Sequence, residues 1–235
     1  MNILCIDTSF FTGAVGIMRN NDVIMSISFN VQATYSEKLL YMIDLVCKET
    51  GVELKCIDLI AVARGPGSFT GLRIGMTAAK TIAYVYSIPI AGVDTLATAV
   101  FTSKIPKKWY IPIHDARKNQ VYAAVYHTKD NTLIEEYESG SYDIHACVSV
   151  FRHYGTDETR IFVSDGSLVA QSVCDAFPDS NHIVIPFLPD IYALGVIAKS
   201  QCENNTLIDV RSLEPLYGRL SDAEIQYEKR KNSQS

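Results

Sequence analysis

The apolar and polar positions of this chain repeat with two different periods, and the period switches in the same order twice. Residues 2–8, 13–19 and 22–29 are short β-rich runs, parted by turn signals at Thr12-Gly13 and Asn20-Asn21-Asp22. They predict an antiparallel meander. A helical period follows over 35–50, with Thr34 or Ser36 available to cap its start and Gly51 to end it. An unbroken apolar strand at 57–63, a glycine-rich loop at 64–71, a long helix to Tyr86, a short strand at 89–93 and a helix at 94–102 complete a βββαβαβα series.

The second half predicts the same series: strands at 109–114, 120–127 and 132–138, a helix at 143–153, a strand at 160–164, a helix at 168–177, a strand at 182–185 and a helix at 191–203. Residue identity between the halves is slight, so the repeat lies in the elements. A duplication of this size implies two similar lobes facing a cleft. We place the lobes at 1–105 and 106–220, joined around Ile105-Pro106-Lys107-Lys108, with a polar tail at 221–235. The fold class expected is α/β with two duplicated lobes, the actin-like ATPase (ASKHA, ribonuclease H-like) architecture of sugar kinases and actin.

In that architecture an acidic residue in the turn after each lobe's first strand handles phosphate or its metal. Asp7-Thr8-Ser9 and Asp115-Ala116-Arg117 stand in those turns here. Asp7, Thr8 and Ser9 offer a carboxylate and two hydroxyls to a phosphate or a metal-bound water; the same residues also suit a turn that satisfies its own backbone. Arg117 and Lys118 occupy positions where such ATPases usually carry glycine, and long side chains there crowd a nucleotide. The cleft is therefore expected to be vestigial, with Asp7, Thr8, Ser9, Asp115 and Arg117 as its residues.

The block Gly65-Pro66-Gly67-Ser68-Phe69-Thr70-Gly71-Leu72-Arg73-Ile74-Gly75 is the most distinctive segment. Its place between a strand and a helix permits an anion nest, but it lacks the Gly-Lys-Ser/Thr ending of a P-loop and the spacing of a dinucleotide-binding turn. The helix it opens carries Gly71, Gly75, Ala79 and Ala83 at intervals of four, a groove that fits either a neighbour inside the lobe or a partner helix. On the helix at 35–50, Leu39, Leu40, Ile43, Val46 and Cys47 form one apolar stripe, while Tyr41, Met42 and Leu45 form another on a different side. One sheet cannot bury both, which points to a protein-binding face.

Composition narrows the function classes. The chain has 235 residues, 48% of them hydrophobic, and a net charge of −5, which argues against nucleic-acid binding by its own electrostatics. The basic run Lys229-Arg230-Lys231 lies in the polar tail. No stretch reaches the roughly 18 apolar residues of a membrane span, and the apolar run 3–6 stops at Asp7, so no signal peptide is expected and the chain reads as cytoplasmic. The six cysteines form no CxxC pair and read as small buried hydrophobes. The five histidines never fall at i, i+4. No nucleophile elbow is present, so neither a catalytic constellation nor a cofactor or metal is expected.

The start Ile3-Leu4-Cys5-Ile6-Asp7-Thr8-Ser9, the helix opening Ser36-Glu37-Lys38-Leu39-Leu40, the glycine block, Asp115-Ala116-Arg117 through Val121-Tyr122, and the ending Pro215-x-Tyr217-x-Arg219 then Ala223-Glu224 resemble the bacterial TsaB (YeaZ) family. Tyr35 departs from the family pattern, where histidine is frequent. The resemblance implies a non-catalytic accessory subunit for making N6-threonylcarbamoyladenosine at position 37 of tRNAs, with catalysis by the paralogue TsaD, TsaE joining the pair, and TsaC-type enzymes supplying the threonylcarbamoyl-adenylate. It implies pairing with TsaD, or with a second copy, through the first two helices. Tyr41, Met42 and Leu45, with Gly71, Leu72, Gly75, Met76, Ala79 and Ala83, would form that interface. Contact with tRNA is expected only within the complex. The rival class is a stand-alone actin-like ATPase or phosphotransferase using Asp7 and Asp115; a metalloprotease would need zinc ligands that the sequence does not supply.

Overall fold

A computed structural model describes residues 1–30, 35–101, 108–129, 132–155, 159–177 and 182–218. The first three residues of the expected joint, Ile105, Pro106 and Lys107, the caps expected of Thr34 and Ser36, and the polar tail lie outside the described residues or side chains.

Strands β1 (Asn2–Asp7), β2 (Thr12–Arg19) and β3 (Asp22–Asn30) form the meander, and β4 (Leu59–Gly65) and β5 (Ile90–Asp94) extend it in parallel to give the order β3-β2-β1-β4-β5. Alternate side chains of a strand point to opposite faces, so a nearly continuous apolar strand has to be covered on both. Leu4, Ile6, Val15, Ile17, Ile60 and Val62 face helices α1 (Tyr35–Thr50) and α2 (Phe69–Tyr86). Ile3, Cys5, Ala14, Met18, Leu59 and Ala61 face the other way.

The second sheet has the order β10-β9-β6-β7-β8, from β6 (Trp109–Arg117), β7 (Gln120–Lys129), β8 (Thr132–Asp143), β9 (Arg160–Ser164) and β10 (His182–Pro186). Helices α4 (Ile144–Phe151) and α5 (Leu168–Asp175) cover one face through Cys147, Phe151, Ala170, Val173 and Cys174.

The remaining faces are covered by exchange. Helix α3 (Thr95–Phe101), which ends the first repeat, sets Leu96, Ala99 and Val100 against Tyr110, Ala124 and Tyr126 of the second sheet. Helix α6 (Ile191–Glu203), which ends the second repeat, sets Ile191, Leu194 and Ala198 against the first sheet. Residues 1–105 and 106–220 thus carry one sheet each, but each sheet is roofed by a helix from the other range.

The cysteines are all free. Cys5, Cys147 and Cys174 are buried, and burial pushes the Cys147 thiol up to about 12 and the Cys174 thiol up to about 11. Cys56 is exposed, which corrects its reading as a buried hydrophobe: it ends a single 3-10 turn at Leu54–Cys56 that has no buried residue. Among the described residues, no helix is long and apolar enough to cross a membrane.

Candidate functional site: the inter-lobe turns and the outer helices

Asp7, Thr8 and Ser9 are all buried at the end of β1. The Asp7 carboxylate accepts hydrogen bonds from the backbone N–H of Ser9 (2.9 Å) and from its hydroxyl (2.5 Å). Burial raises the Asp7 carboxyl above the usual range, against the pull of those two bonds and of the His114 charge. Of the two readings of this turn, its own side chains and backbone satisfy each other.

The glycine block receives that turn. Thr8 Oγ1 donates to the carbonyl of Gly71 (2.8 Å), and Ser68 N–H donates to the carbonyl of Ser9 (2.6 Å). A methyl at Gly71 would collide with the Thr8 carbonyl oxygen, and one at Gly75 with Thr8 Oγ1. Ser68 caps α2, its side chain accepting from Gly71 N–H. The N-terminus of α2, which the sequence permits as an anion nest, is therefore packed against the chain's own backbone.

In the second lobe, Asp115 Oδ1 accepts from Arg117 N–H (2.6 Å). Arg117, Lys118 and Asn119 all lie in the left-handed region, with φ of 63°, 52° and 63°. That conformation costs Arg117 and Lys118 about 1 to 2 kcal/mol each, and these are the two positions where actin-like ATPases usually carry glycine. Asp165 organises the neighbourhood. It accepts from the N–H of Asp115 (2.9 Å) and of Ser167 (2.9 Å), and its Oδ2 lies 2.9 Å from His114 Nδ1. Burial alone would raise the Asp165 carboxyl; the His114 hydrogen bond and charge, with the two backbone N–H groups, outweigh it and hold the group well below the ordinary carboxylate range.

Phe10 bridges the two turns. Its ring, only 6% exposed, stacks on His114 with centroids 3.5 Å apart and meets Phe187 edge-on at 5.0 Å, within the second lobe's core. The space between the turns is thus held by an aromatic side chain of the first lobe. Sequence reasoning did not select Phe10, His114, Asp165 or Phe187. The available signal was a bulky aromatic pair, Phe10-Phe11, in a turn where phosphate binding calls for small residues. A further junction carboxylate, Asp94, accepts from Ala97 N–H (2.9 Å) and from the Tyr126 hydroxyl (3.3 Å), and burial pushes it up to about 6. Among the described residues, no three His, Cys, Asp or Glu side chains gather in a group that could hold a metal ion.

The outer helices carry the other candidate surface. On α1, Leu39, Ile43 and Val46 are buried and Met42 packs partly against the same core. Tyr41 (60% exposed) and Leu40 (57%) face outward, and Leu45 is half-buried. Leu40 thus leaves the expected core stripe, because it lies about 100° round the helix from Leu39, and Met42 largely joins it. On α2, Gly71, Leu72, Gly75, Met76, Ala79 and Ala83 are all buried inside the lobe. In the isolated chain the small-residue stripe accommodates Thr8 and the first core. The accessible apolar side chains of α2 are instead Tyr84 (67% exposed), Val85 (64%) and Tyr86, in its last turn.

Comparison with known proteins agrees with this picture. The family model described as TsaD, tRNA N6-adenosine threonylcarbamoyltransferase, matches residues 29–144. The chain is 29% identical over 230 residues to the tRNA threonylcarbamoyladenosine biosynthesis protein TsaB of Bacillus subtilis (strain 168), covering 97% of this chain and 98% of that one. It is 34% identical over 136 residues to the protein of the same name from Escherichia coli (strain K12), spanning 57% of this chain and 58% of that one. Among solved structures, YeaZ from Pseudomonas aeruginosa superposes with a TM-score of 0.76 over 92% of this chain and 99% of that one, at 21% identity. A ROK hexokinase from Thermus thermophilus shares the wider fold, with a TM-score of 0.50 at 8% identity over 87% of this chain and 100% of that one. With two lobes of actin-like order, a glycine block folded onto the Asp7 turn, and similarity over 97% of its length to a TsaB protein, the chain resembles the TsaB (YeaZ) proteins from end to end.

Proposed function

We propose that this protein is a non-catalytic accessory subunit that binds TsaD and supports it in forming N6-threonylcarbamoyladenosine at position 37 of tRNAs. One observation carries the reading. Where an actin-like ATPase would hold phosphate between the two turns, this chain has the Phe10 ring stacked on His114, and Arg117 and Lys118 where such enzymes usually carry glycine. Asp7 Oδ1 accepts from both the N–H and the hydroxyl of Ser9, and Asp115 Oδ1 accepts from the N–H of Arg117. Exposed apolar side chains on the two outer helices include Leu40 and Tyr41 on α1 and Tyr84 to Tyr86 on α2. Aromatic side chains on an exposed helix face are the usual anchors of a protein interface. The site therefore favours recognition over bond making.

In this role the chain acts in the cytoplasm as one member of a complex that includes TsaE, pairs with a second copy when TsaD is absent, and meets tRNA only through the assembly. Reconstitution tests the proposal: tRNA modification by TsaD with its threonylcarbamoyl donor should require this chain, and the chain alone should neither bind nor hydrolyse ATP. Nucleotide binding or turnover by the purified chain, lost in Asp7→Ala, would establish the ATPase reading instead.

A further inference from the structure

Residues 207–218, which follow α6, return along the first lobe and touch α2 at three levels. Leu213 is fully buried in the core beneath α2. Lys80 Nζ donates to the carbonyls of Leu213 (2.8 Å) and Arg211 (3.3 Å), joining the middle of the helix to the segment. At the helix start, Arg73 Nε donates to the Tyr217 hydroxyl (2.9 Å), the Tyr217 ring lies 4.6 Å from that of Phe69, and the Arg73 guanidinium sits 3.9 Å above Phe69.

The strand before α2 is held as well. Leu216 N–H donates to the Arg64 carbonyl (2.6 Å), and at Gly65, whose φ is +112°, a Cβ would collide with the Leu216 carbonyl oxygen. Gly218 then comes against Pro66, Tyr122 and Ser141 where the lobes meet. Besides the Thr8–Ser9 turn, both the glycine block and α2 are therefore also held by residues about 140 further along the chain.

We propose that residues 207–218 are a strap that sets the position of α2, so that the end of the second repeat controls the surface that the first repeat offers to a partner. The strap itself is argued from the isolated chain; its control of the surface rests on the partner reading given above. The strap holds α2 by one core side chain, one lysine on two carbonyls, and one cation–aromatic stack. Of these, the stack is the most solvent-accessible and the one a partner can perturb.

Hydrogen exchange on the isolated full-length chain tests the strap. Tyr217→Ala should speed exchange of the amides of residues 69–80 about tenfold while leaving those of β1 and β2 unchanged, because loosening is confined to one cooperative unit. Tyr217→Phe, which keeps the ring and removes the acceptor for Arg73, should give a smaller change of the same pattern and serves as the comparison if the alanine variant does not fold. Unchanged exchange at 69–80 in both variants, or a uniform rise along the chain, would overturn the strap. The control is read by affinity for TsaD, which Tyr217→Ala should weaken; local loosening with unchanged affinity would overturn it. Tyr84→Glu separates the two claims: if it binds TsaD as well as the parent chain, the partner reading fails while the exchange result stands.

Discussion

The ring of Phe10 lies flat on the imidazole of His114, with centroids 3.5 Å apart and planes 7° from parallel. Phe10 belongs to the first lobe's turn and His114 to the second lobe's first strand, so one stacked pair spans the cleft. Phe10→Ala removes a buried aromatic from a site that two sheets frame, and the cost should be about 3 to 5 kcal/mol in urea unfolding. A loss below about 1 kcal/mol would mean that the stack does not join the lobes.

Asp94 gives a pH signature of unusual sign. Its carboxyl is pushed from 3.8 to about 6 in the folded protein, so the native state binds the proton more tightly than the unfolded chain does. The group therefore weakens the fold above pH 6, and that penalty disappears as the pH falls from about 6 towards 4. Asp94→Asn keeps an oxygen to accept from Ala97 N–H and the Tyr126 hydroxyl. It should stabilise the protein at pH 7 to 8 by on the order of 2 to 3 kcal/mol and have almost no effect near pH 4. Equal effects at both pH values would contradict a buried, raised carboxyl.

Asp165 predicts the opposite. Its folded-state carboxyl lies below the ordinary range, so its stabilising contribution is complete at neutral pH and is lost progressively as the pH falls below the ordinary carboxylate range. Asp165→Asn should cost about 1 to 3 kcal/mol at pH 7, because a charge-assisted bond from His114 is lost. The difference from the parent should shrink in acid, as followed by urea unfolding at a series of pH values.

Gly75→Ala tests the close approach of α2 to the first turn. Alanine is the better helix former by about 1 kcal/mol, yet here its methyl meets Thr8 Oγ1. We expect net destabilisation of about 1 to 3 kcal/mol, relieved in the double variant Thr8→Ser with Gly75→Ala only if the Thr8 methyl contributes to the clash. A stabilised Gly75→Ala would show that the stripe has room to spare.

The partner face calls for substitutions at side chains that the fold does not use. Tyr84→Glu and Tyr41→Glu should leave the melting temperature nearly unchanged and abolish co-elution with TsaD. Met76→Glu should unfold the protein, since Met76 is buried in the first core. Met42 is a poor probe, because it packs partly against that core and its loss would mix folding with binding.

Local patterns made much of this architecture readable. Both α1 and α6 begin and end where periodicity places them, and β1 to β3 differ from the sequence expectation by a residue or so at their ends. Strand β8 runs on to Asp143, five residues past expectation, because Ser139 to Asp143 is polar and is held as strand by pairing with β7, a non-local cause. Strand β6 likewise extends to Arg117 through a bulge. At the site, the aspartates of both turns were legible from motif and order. Phe10, His114 and Asp165 were not, since their roles arise only when residues 10, 114, 165 and 187 meet. Small residues at intervals of four record a close neighbour without saying which; the neighbour is Thr8 at Gly71 and Gly75, and the first core at Ala79 and Ala83.

The trade of α3 and α6 between the sheets bears on how such a chain could have arisen. A polypeptide of half this length, carrying a single series of elements, would leave one apolar face of its sheet bare and the packing face of its terminal helix in water. Two such halves could reach a folded state only by embracing, each lending its last helix to its twin. Carrying both series in one chain makes that mutual cover intramolecular.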